Sequence, residues 1–247
     1  MYYLDDHSLG YDQIRWSSSP GSRLVLDSIY RHAHLPLVNP QHSDVIPFYE
    51  DYHFGRYETK RYSLAIPFSI EDLQMSHAFR AVDAAMREAS FSPKIAWDVM
   101  DARQARLHAT ICGRVNADEV KELLLRTEDH LLRTGSIRFR LAGPLVGEKN
   151  TGRIYFPVYP ENREGNPIQT LQMTLGKQIT DVYLLGYYNF RDHLAASEAA
   201  ELSSILAKFR DVTILEGAIS GLVAFETQDD LVLSGCEIGR STNFSQS

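Results

Sequence analysis

The chain has 247 residues, of which 44% are hydrophobic and 23% charged, enough for a sizeable core in one large domain or two closely packed lobes. Its 25 basic and 32 acidic residues give a formal net charge of −7. This balance excludes a protein that coats nucleic acid or an anionic membrane by bulk electrostatics, so an anionic ligand requires a local basic pocket. No apolar run approaches the roughly 20 residues of a membrane helix, and the first residues lack the layout of a signal peptide, so we expect a cytoplasmic protein without membrane contact.

The first 57 residues differ from the rest of the sequence. This N-terminal segment, residues 1–57, is rich in Tyr, His, Pro and Asp and contains turn-forming stretches, which indicates irregular structure. Its aromatic residues predict that it packs onto the remainder of the chain, because disordered segments are poor in such residues. We expect the main domain over residues 58–240 and a frayed tail over residues 241–247.

Strand and helix patterns alternate after the N-terminal segment. A period-two apolar pattern up to Ile66 predicts a strand, and Ser69 is a suitable N-cap for the helix that follows. The apolar stripe of that helix comprises Met75, Phe79, Val82 and Met86. A second strand is predicted over residues 106–112, followed by a helix with Asn116 and Glu119 in capping-box spacing.

The second half of the chain repeats this order of elements. Residues 136–142 and 153–159 predict two antiparallel strands around a turn-rich loop, and Asn166-Pro167 marks the start of a helix. A strand near 182–189, another helix and two short strands near 212–214 and 231–233 complete the prediction. The recurrence at an offset of about 76 residues suggests an internal duplication of architecture, without residue identity.

Alternation along the strand 106–112 places Arg106, His108 and Thr110 on one face and apolar residues on the other. A half-exposed strand whose polar residues only contact water is the alternative explanation. The predicted strands downstream carry Arg138 and Arg140, and Arg153 and Tyr155, with the same alternation. Four arginines therefore share a sheet face if the strands are neighbours. Guanidinium groups suit bidentate phosphate binding, although arginines also commonly cover the solvent side of a sheet.

The sequence Leu107-His108-Ala109-Thr110-Ile111, with the preceding strand Tyr62-Ser63-Leu64-Ala65-Ile66-Pro67, resembles the 2H phosphoesterase superfamily, which includes 2′,5′ RNA ligase-like proteins and cyclic phosphodiesterases. The resemblance covers about residues 61–233 and is greatest to a subgroup with an N-terminal extension. It implies an α+β fold of two lobes, with antiparallel sheets lining a central groove and helices outside. It also implies chemistry without a metal or cofactor.

In that family two His-x-Thr/Ser motifs face each other across the groove. The resemblance therefore implies His108 as acid or base and Thr110 as a phosphate ligand. The residues expected to bind phosphate are Arg106, Arg138, Arg140, Arg153 and Tyr155. An imidazole titrates near neutral pH, so it can move a proton beside phosphorus.

The second motif of the family is missing from this sequence. An offset of 76 residues maps the first motif onto Leu184 and Gly186, and an alternative alignment maps it onto Val182 and Leu184, with Tyr187 beside them in the second half of the groove. Neither alignment supplies a histidine. Because one acid or base is worth ~10²–10⁴ in rate, a slow enzyme or a binding protein is expected if nothing replaces it.

Three kinds of residue are candidates to replace the histidine of the missing second motif. A histidine of the N-terminal segment is the first, and the segment contains His32, His34, His42 and His53. His193 is the second. Among all these histidines, we name His53, His42 and His193 as the replacement candidates. A tyrosine is the third, from the set Tyr155, Tyr187 and Tyr188.

The resemblance implies a phosphodiesterase-like protein that acts on or binds a 2′,3′-cyclic or related nucleotide or RNA-end phosphodiester. Two other functions stay open. One is a non-catalytic module for a phosphate-containing small molecule or RNA end. The other is a metal-dependent hydrolase, in which His32 and His34 on one strand face bind the metal with Asp44 or His42. The oligomeric state is not indicated by the sequence.

Overall fold

Antiparallel strands form the centre of the computed structural model, which describes residues 2–17 and 19–241. The strands are β1 Phe48–Tyr49, β2 Tyr52–His53, β3 Arg56–Pro67, β4 His108–Val115, β5 Ile137–Ala142, β6 Leu145–Val146, β7 Arg153–Pro160, β8 Leu184–Asn189, β9 Thr213–Ile219, β10 Val223–Asp229 and β11 Cys236–Arg240. The helices are α1 Tyr11–Ile14, α2 Ser28–Ala33, α3 Leu35–Val38, α4 Ile70–Met75, α5 His77–Glu88, α6 Trp97–Arg103, α7 Val120–Thr134, α8 Pro167–Thr174 and α9 Ala196–Phe209. The predicted α+β class with antiparallel sheets is confirmed.

The sheet runs in the order β1-β2-β3-β4-β8-β7-β5-β9, with β10 and β11 attached through β3 and β6 attached to β7. Strands β4 and β8 meet in the middle, where Ala109 pairs with Leu185. Strand β7 serves both halves, because its first part pairs with β8 and its last part, residues 158–160, pairs with β5. This arrangement puts the His-x-Thr strand next to the strand that holds the second-half positions.

Local sequence signals explain most element boundaries. The Ser69 side chain accepts a hydrogen bond from the Asp72 N–H and starts α4, as predicted. The predicted single helix after it is wrong, because Ser76 ends α4 and caps α5 through the Phe79 N–H. Met75, placed by the sequence on the buried stripe, is therefore 78% exposed at the break. The capping box before α7 and the start of α8 after Asn166 are confirmed.

The predicted strand at 231–233 is wrong. These residues form a turn after β10, around the buried carboxylate of Asp229. That carboxylate accepts hydrogen bonds from the backbone N–H groups of Leu231, Leu233 and Ser234, at 2.9 to 3.0 Å. Because the turn uses these N–H groups locally, they are not available to a neighbouring strand. The strand predicted near 212–214 corresponds to the start of β9, and the strands after it are β10 and β11.

Residues of the N-terminal segment are buried against later parts of the chain. Tyr11 and Tyr30 are fully buried, and the Tyr30 hydroxyl donates to the Phe190 carbonyl at 2.7 Å. A Cβ at Gly152, in the loop before β7, would overlap the Tyr30 ring, so the segment and this loop are in close contact. At the other end, Ser241 is hydrogen-bonded to Leu222, and residues 242–247 of the expected tail lie outside the described residues. Among the described helices, none has the length and apolar composition that crossing a membrane requires.

Candidate functional site

His108 stands at the first position of β4 and is partly buried. Its Nδ1 lies 2.7 Å from the carbonyl oxygen of Arg106. A carbonyl oxygen only accepts, so Nδ1 carries the proton and Nε2 keeps its lone pair. The ring packs against Phe225, with 4.8 Å between ring centroids. Burial, together with the Arg103 and Arg153 charges, lowers the pKa of His108 to about 4, so the imidazole is neutral at neutral pH.

A cavity of about 360 Å³ lies over the central strand pair. It is lined by Ile29, His34, His108, Thr110, Asn150, Arg153, Tyr155, Val182, Leu184, Gly186 and Asp230. Because Ala109 faces Leu185 in antiparallel register, His108 lies across from Gly186 and Thr110 from Leu184. The second-half positions that line the cavity are therefore two aliphatic residues, Val182 and Leu184, and a glycine. Tyr187 is buried elsewhere, edge-on against the rings of Phe79 and Phe156.

The guanidinium of Arg153 occupies the space above Gly186. A Cβ at Gly186 would overlap this guanidinium, so the absence of a side chain at Gly186 leaves the space that the Arg153 guanidinium occupies. Arg153 is 9% exposed, its Nη1 lies 3.4 Å from the Asp230 carbonyl oxygen, and its Cζ is 5.3 Å from the centre of the Tyr155 ring. Its buried Nε has no hydrogen-bond partner among the described residues. A buried N–H of a charged group without a partner, at the wall of a cavity, favours an anionic ligand.

Arg103, which the sequence analysis did not single out, lies beneath the cavity. It is 1% exposed and donates from Nε to the Leu231 carbonyl at 2.8 Å and from Nη2 to the Gly186 carbonyl at 3.2 Å. Burial lowers its pKa to about 9, which leaves it protonated at neutral pH. The signal was in the helix pattern, since Arg103 lies four residues after Val99 on the buried side of α6. A second positive charge thus supports the site from below.

One histidine of the N-terminal segment enters the same cavity. His34 follows α2 directly, is 1% exposed and lines the cavity with His108. Its Nε2 is 2.9 Å from the Asn150 Nδ2, which also donates to the Tyr155 hydroxyl at 2.7 Å. Its Nδ1 has no partner among the described residues. Burial and the nearby arginines lower the pKa of His34 well below its ordinary value, so this ring is neutral as well.

The other predicted phosphate ligands lie outside this cavity. Arg106 donates to the carbonyl oxygens of Val232 and Leu233, both at 3.2 Å. Arg138 and Arg140 lie on β5, and the Arg140 guanidinium lies over the Tyr159 ring at 4.8 Å. The expected face of four arginines does not form, because β5 pairs with the last part of β7 and not with the part that begins at Arg153.

The three named replacement histidines also lie elsewhere. His53 is exposed on the β1–β2 hairpin, where it stacks on Phe48 at 4.6 Å between ring centroids. His42 and His193 hold the N-terminal segment to the loop after β8. The Nε2 of His42 is 3.1 Å from Asp192, and the Nε2 of His193 is 2.8 Å from Asp44. None of the three lines the cavity that contains His108.

His42, Asp192 and His193 are close enough together to hold a metal ion. The hydrogen bonds at the far side of the rings oppose this use. His42 Nδ1 accepts from the Asp44 N–H at 3.0 Å, and His193 Nδ1 accepts from the Leu26 N–H at 2.9 Å. A neutral imidazole whose Nδ1 accepts carries its proton on Nε2, the atom that would have to bind the metal. The two rings are therefore arranged as donors to carboxylates.

The expected His-x-His pair on a strand is wrong. His32 lies within α2 and His34 at its end, so the two rings do not share one strand face. His32 stacks on Tyr49 at 4.3 Å between ring centroids, whereas His34 faces the cavity. The pair consequently offers no common metal position.

A second cavity, of about 210 Å³, adjoins the first and shares His108, Thr110 and Asp230 with it. Its wall includes Tyr57 and Arg61, whose guanidinium lies 3.6 Å from the centre of the Tyr57 ring. The carboxylate of Asp230 accepts from the Tyr57 hydroxyl and from the Tyr52 hydroxyl. The imidazole of His108 thus stands between two connected spaces.

No family model and no curated protein matches the sequence. Among solved structures, the chain is similar to Escherichia coli LigT in its apo form, with a TM-score of 0.37 and 15% sequence identity over 74% of this chain and 97% of that one. At this level of similarity, the function has to be inferred from the side chains of the site.

Proposed function

We propose that this protein is a phosphodiesterase-like protein that acts on a 2′,3′-cyclic or related nucleotide phosphodiester without a metal. One observation carries the proposal. The Nε2 of the neutral His108 keeps its lone pair, and the Arg153 Nε–H has no hydrogen-bond partner among the described residues. One cavity is lined by His108, Thr110 and Arg153. These are a base, a hydroxyl donor and a cationic donor, the groups that a metal-free attack on a phosphodiester needs.

In the proposed reaction, water attacks phosphorus while His108 Nε2 takes its proton. Arg153 offsets the negative charge of the phosphoryl oxygens, and Thr110 donates a hydrogen bond to one of them. The phosphorus–oxygen bond to the ribose breaks, and the departing oxygen takes a proton from solvent, because Leu184 and Gly186 supply none. The absence of a strand-borne acid lowers the expected rate by about 10²–10⁴ relative to a site with two such groups.

The second cavity supports a nucleotide as the ligand. A phosphate at His108 leaves its attached nucleoside next to Tyr57 and Arg61, which line that cavity. The Arg61 guanidinium covers the Tyr57 ring, and a guanidinium plane stacks with a base without reading its sequence. The local basic groups also meet the requirement that the overall charge of −7 imposes on any anion-binding protein.

A binding module without turnover is the second candidate. It is favoured by the same second-half positions, because a site with one base and no acid holds a phosphodiester more readily than it cleaves one. In that case Arg153 and Thr110 keep their roles as phosphate ligands, and His108 Nε2 accepts from a hydroxyl of the ligand.

The test is incubation of the purified protein with 2′,3′-cyclic nucleotides, with and without a chelator, and with direct measurement of binding. We expect chelator-insensitive turnover that falls at least about 10²-fold in His108→Gln. His53→Gln is the matched control, since His53 is exposed and does not line the cavity. Binding without turnover would favour the binding module. Turnover that His108→Gln leaves intact would refute the proposed base.

A further inference from the structure

We propose that His34 is a further phosphate-binding residue of this site, whose Nδ1–H donates a hydrogen bond to a non-bridging oxygen of the phosphodiester held beside His108. The inference rests on the proposed function and deepens it, because it makes the N-terminal segment part of the site. It also gives the cavity a second imidazole with a different task from the first.

The hydrogen bonds around His34 define that task. The Asn150 side-chain N–H donates to Nε2 at 2.9 Å, so Nε2 is an acceptor and the proton of the neutral ring lies on Nδ1. That Nδ1–H is buried and has no partner among the described residues. A buried donor without a partner is costly, and a ligand oxygen would satisfy it. His34 is thus arranged as a donor, whereas His108 is arranged as an acceptor.

The position of His34 is fixed by contacts that link both walls of the cavity. Asp27 accepts from the Tyr30 N–H at 2.8 Å and so starts α2, the helix that ends immediately before His34. The same carboxylate accepts from the backbone N–H groups of Asn150 and Thr151. One side chain therefore sets both the helix that carries the imidazole and the loop that carries its amide partner.

Asn150 is held in a conformation suited to this role. Its φ of +62° lies in the left-handed region, which asparagine adopts more readily than most residues. Its amide donates to the Tyr155 hydroxyl as well as to His34, so both of its N–H bonds have partners. We therefore assign Asn150 as a positioning residue that keeps the His34 proton on Nδ1.

His34 and Arg153 both line the cavity, and each has a buried N–H without a hydrogen-bond partner among the described residues. A phosphodiester has two non-bridging oxygens, and Thr110 adds a hydroxyl near them. Hydrogen bonds to charged groups contribute more than neutral pairs, so removing one donor should weaken phosphate binding by roughly 10- to 100-fold. The donor does not gain or lose a proton in this role, which distinguishes it from His108.

Two measurements test the inference, and the first uses the unmodified protein. Ring-nitrogen NMR of ¹⁵N-labelled protein reports which nitrogen of His34 is protonated. We expect the Nδ1–H tautomer and a shift of its resonance when inorganic phosphate is added. An Nε2–H tautomer, or an Nδ1–H resonance that phosphate leaves unchanged, overturns the inference. This measurement does not depend on whether any variant folds.

The second measurement is the dissociation constant for inorganic phosphate by calorimetry. We expect His34→Leu to raise it by roughly 10- to 100-fold, and His34→Asn, whose amide N–H lies near the position of Nδ1, to recover part of the loss. His34→Gln places its amide near Nε2 and should not recover it. His32→Gln is the matched control, since His32 is buried in the same segment but does not line the cavity.

The outcomes separate this inference from the proposed function. If the unmodified protein binds phosphate and His34→Leu binds it equally well, only the role of His34 is refuted. If the unmodified protein neither binds phosphate nor turns over a cyclic nucleotide, the proposed function is refuted and the role of His34 with it. Weaker binding in His34→Leu with turnover still lost in His108→Gln supports both.

Discussion

Acidification should destabilise the folded protein through His108, and the size of the effect follows from its environment. The pKa of this imidazole is lowered from 6.5 to about 4, chiefly by burial. As the pH falls below 6.5, the unfolded chain takes up a proton at His108 before the folded protein does, so stability falls until the pH reaches about 4. At about pH 5 this linkage amounts to about 2 kcal/mol relative to about pH 7.5.

Urea unfolding at those two pH values, on wild type and His108→Gln, measures this contribution. Glutamine takes up no proton, so we expect the variant to lose about 2 kcal/mol less than wild type on acidification. His34 is also buried with a lowered pKa, but it is present in both proteins and cancels in the difference. Exposed His53 gives the control, since His53→Gln should follow wild type. Equal losses in His108→Gln and wild type would show that the folded protein protonates this ring freely.

Two further predictions follow from the site and from the histidine cluster outside it. Gly186→Ala should weaken binding of inorganic phosphate about tenfold or more without unfolding the protein, because the new methyl group displaces the guanidinium of Arg153. Gly113→Ala on β4 is the control and should bind phosphate normally, since a Cβ there meets nothing within 4 Å. Equal dissociation constants for the two variants by calorimetry would contradict this prediction. Zinc should not raise the midpoint temperature of thermal unfolding of the metal-stripped protein, because the proton of His42 lies on Nε2, the atom that would have to bind the metal. A zinc-dependent rise that His42→Gln abolishes would refute this reasoning.

Features set by a few neighbouring residues were predictable from the sequence. The cap at Ser69 and the capping box at Asn116 depend on side chains within three residues of the backbone that they bond. The alternation of β4 likewise places His108 and Thr110 on the cavity side and Ala109 in the core, because a strand has only two faces. The sequence therefore indicated the half of the site that one strand carries.

The other half depends on contacts between distant parts of the chain. His34 and Asn150 are 116 residues apart, and no local pattern separates His34 from the other histidines of the N-terminal segment. The prediction that four arginines share one sheet face was wrong for a related reason. Alternation along a strand shows which face of that strand a residue occupies. It does not show which stretch of β7 pairs with β5, because that depends on the pairing register. In the observed register Arg140 lies beside Tyr159 and away from Arg153.

The charges of the site explain how it combines bound cations with uncharged histidines. Burial, together with the charges of the buried guanidinium groups of Arg103 and Arg153, lowers the pKa of both His34 and His108, so neither ring adds a third positive charge. One ring is left with a free lone pair and the other with a free N–H. A bound phosphodiester would place a negative charge beside the Arg153 guanidinium and an acceptor oxygen beside the His34 N–H. The attacking water would lie beside Nε2 of His108, the base. The donor and the acceptor are set by hydrogen bonds before a ligand arrives. If the proposed function holds, this arrangement would let a site without two matching motifs distinguish the two sides of a phosphate.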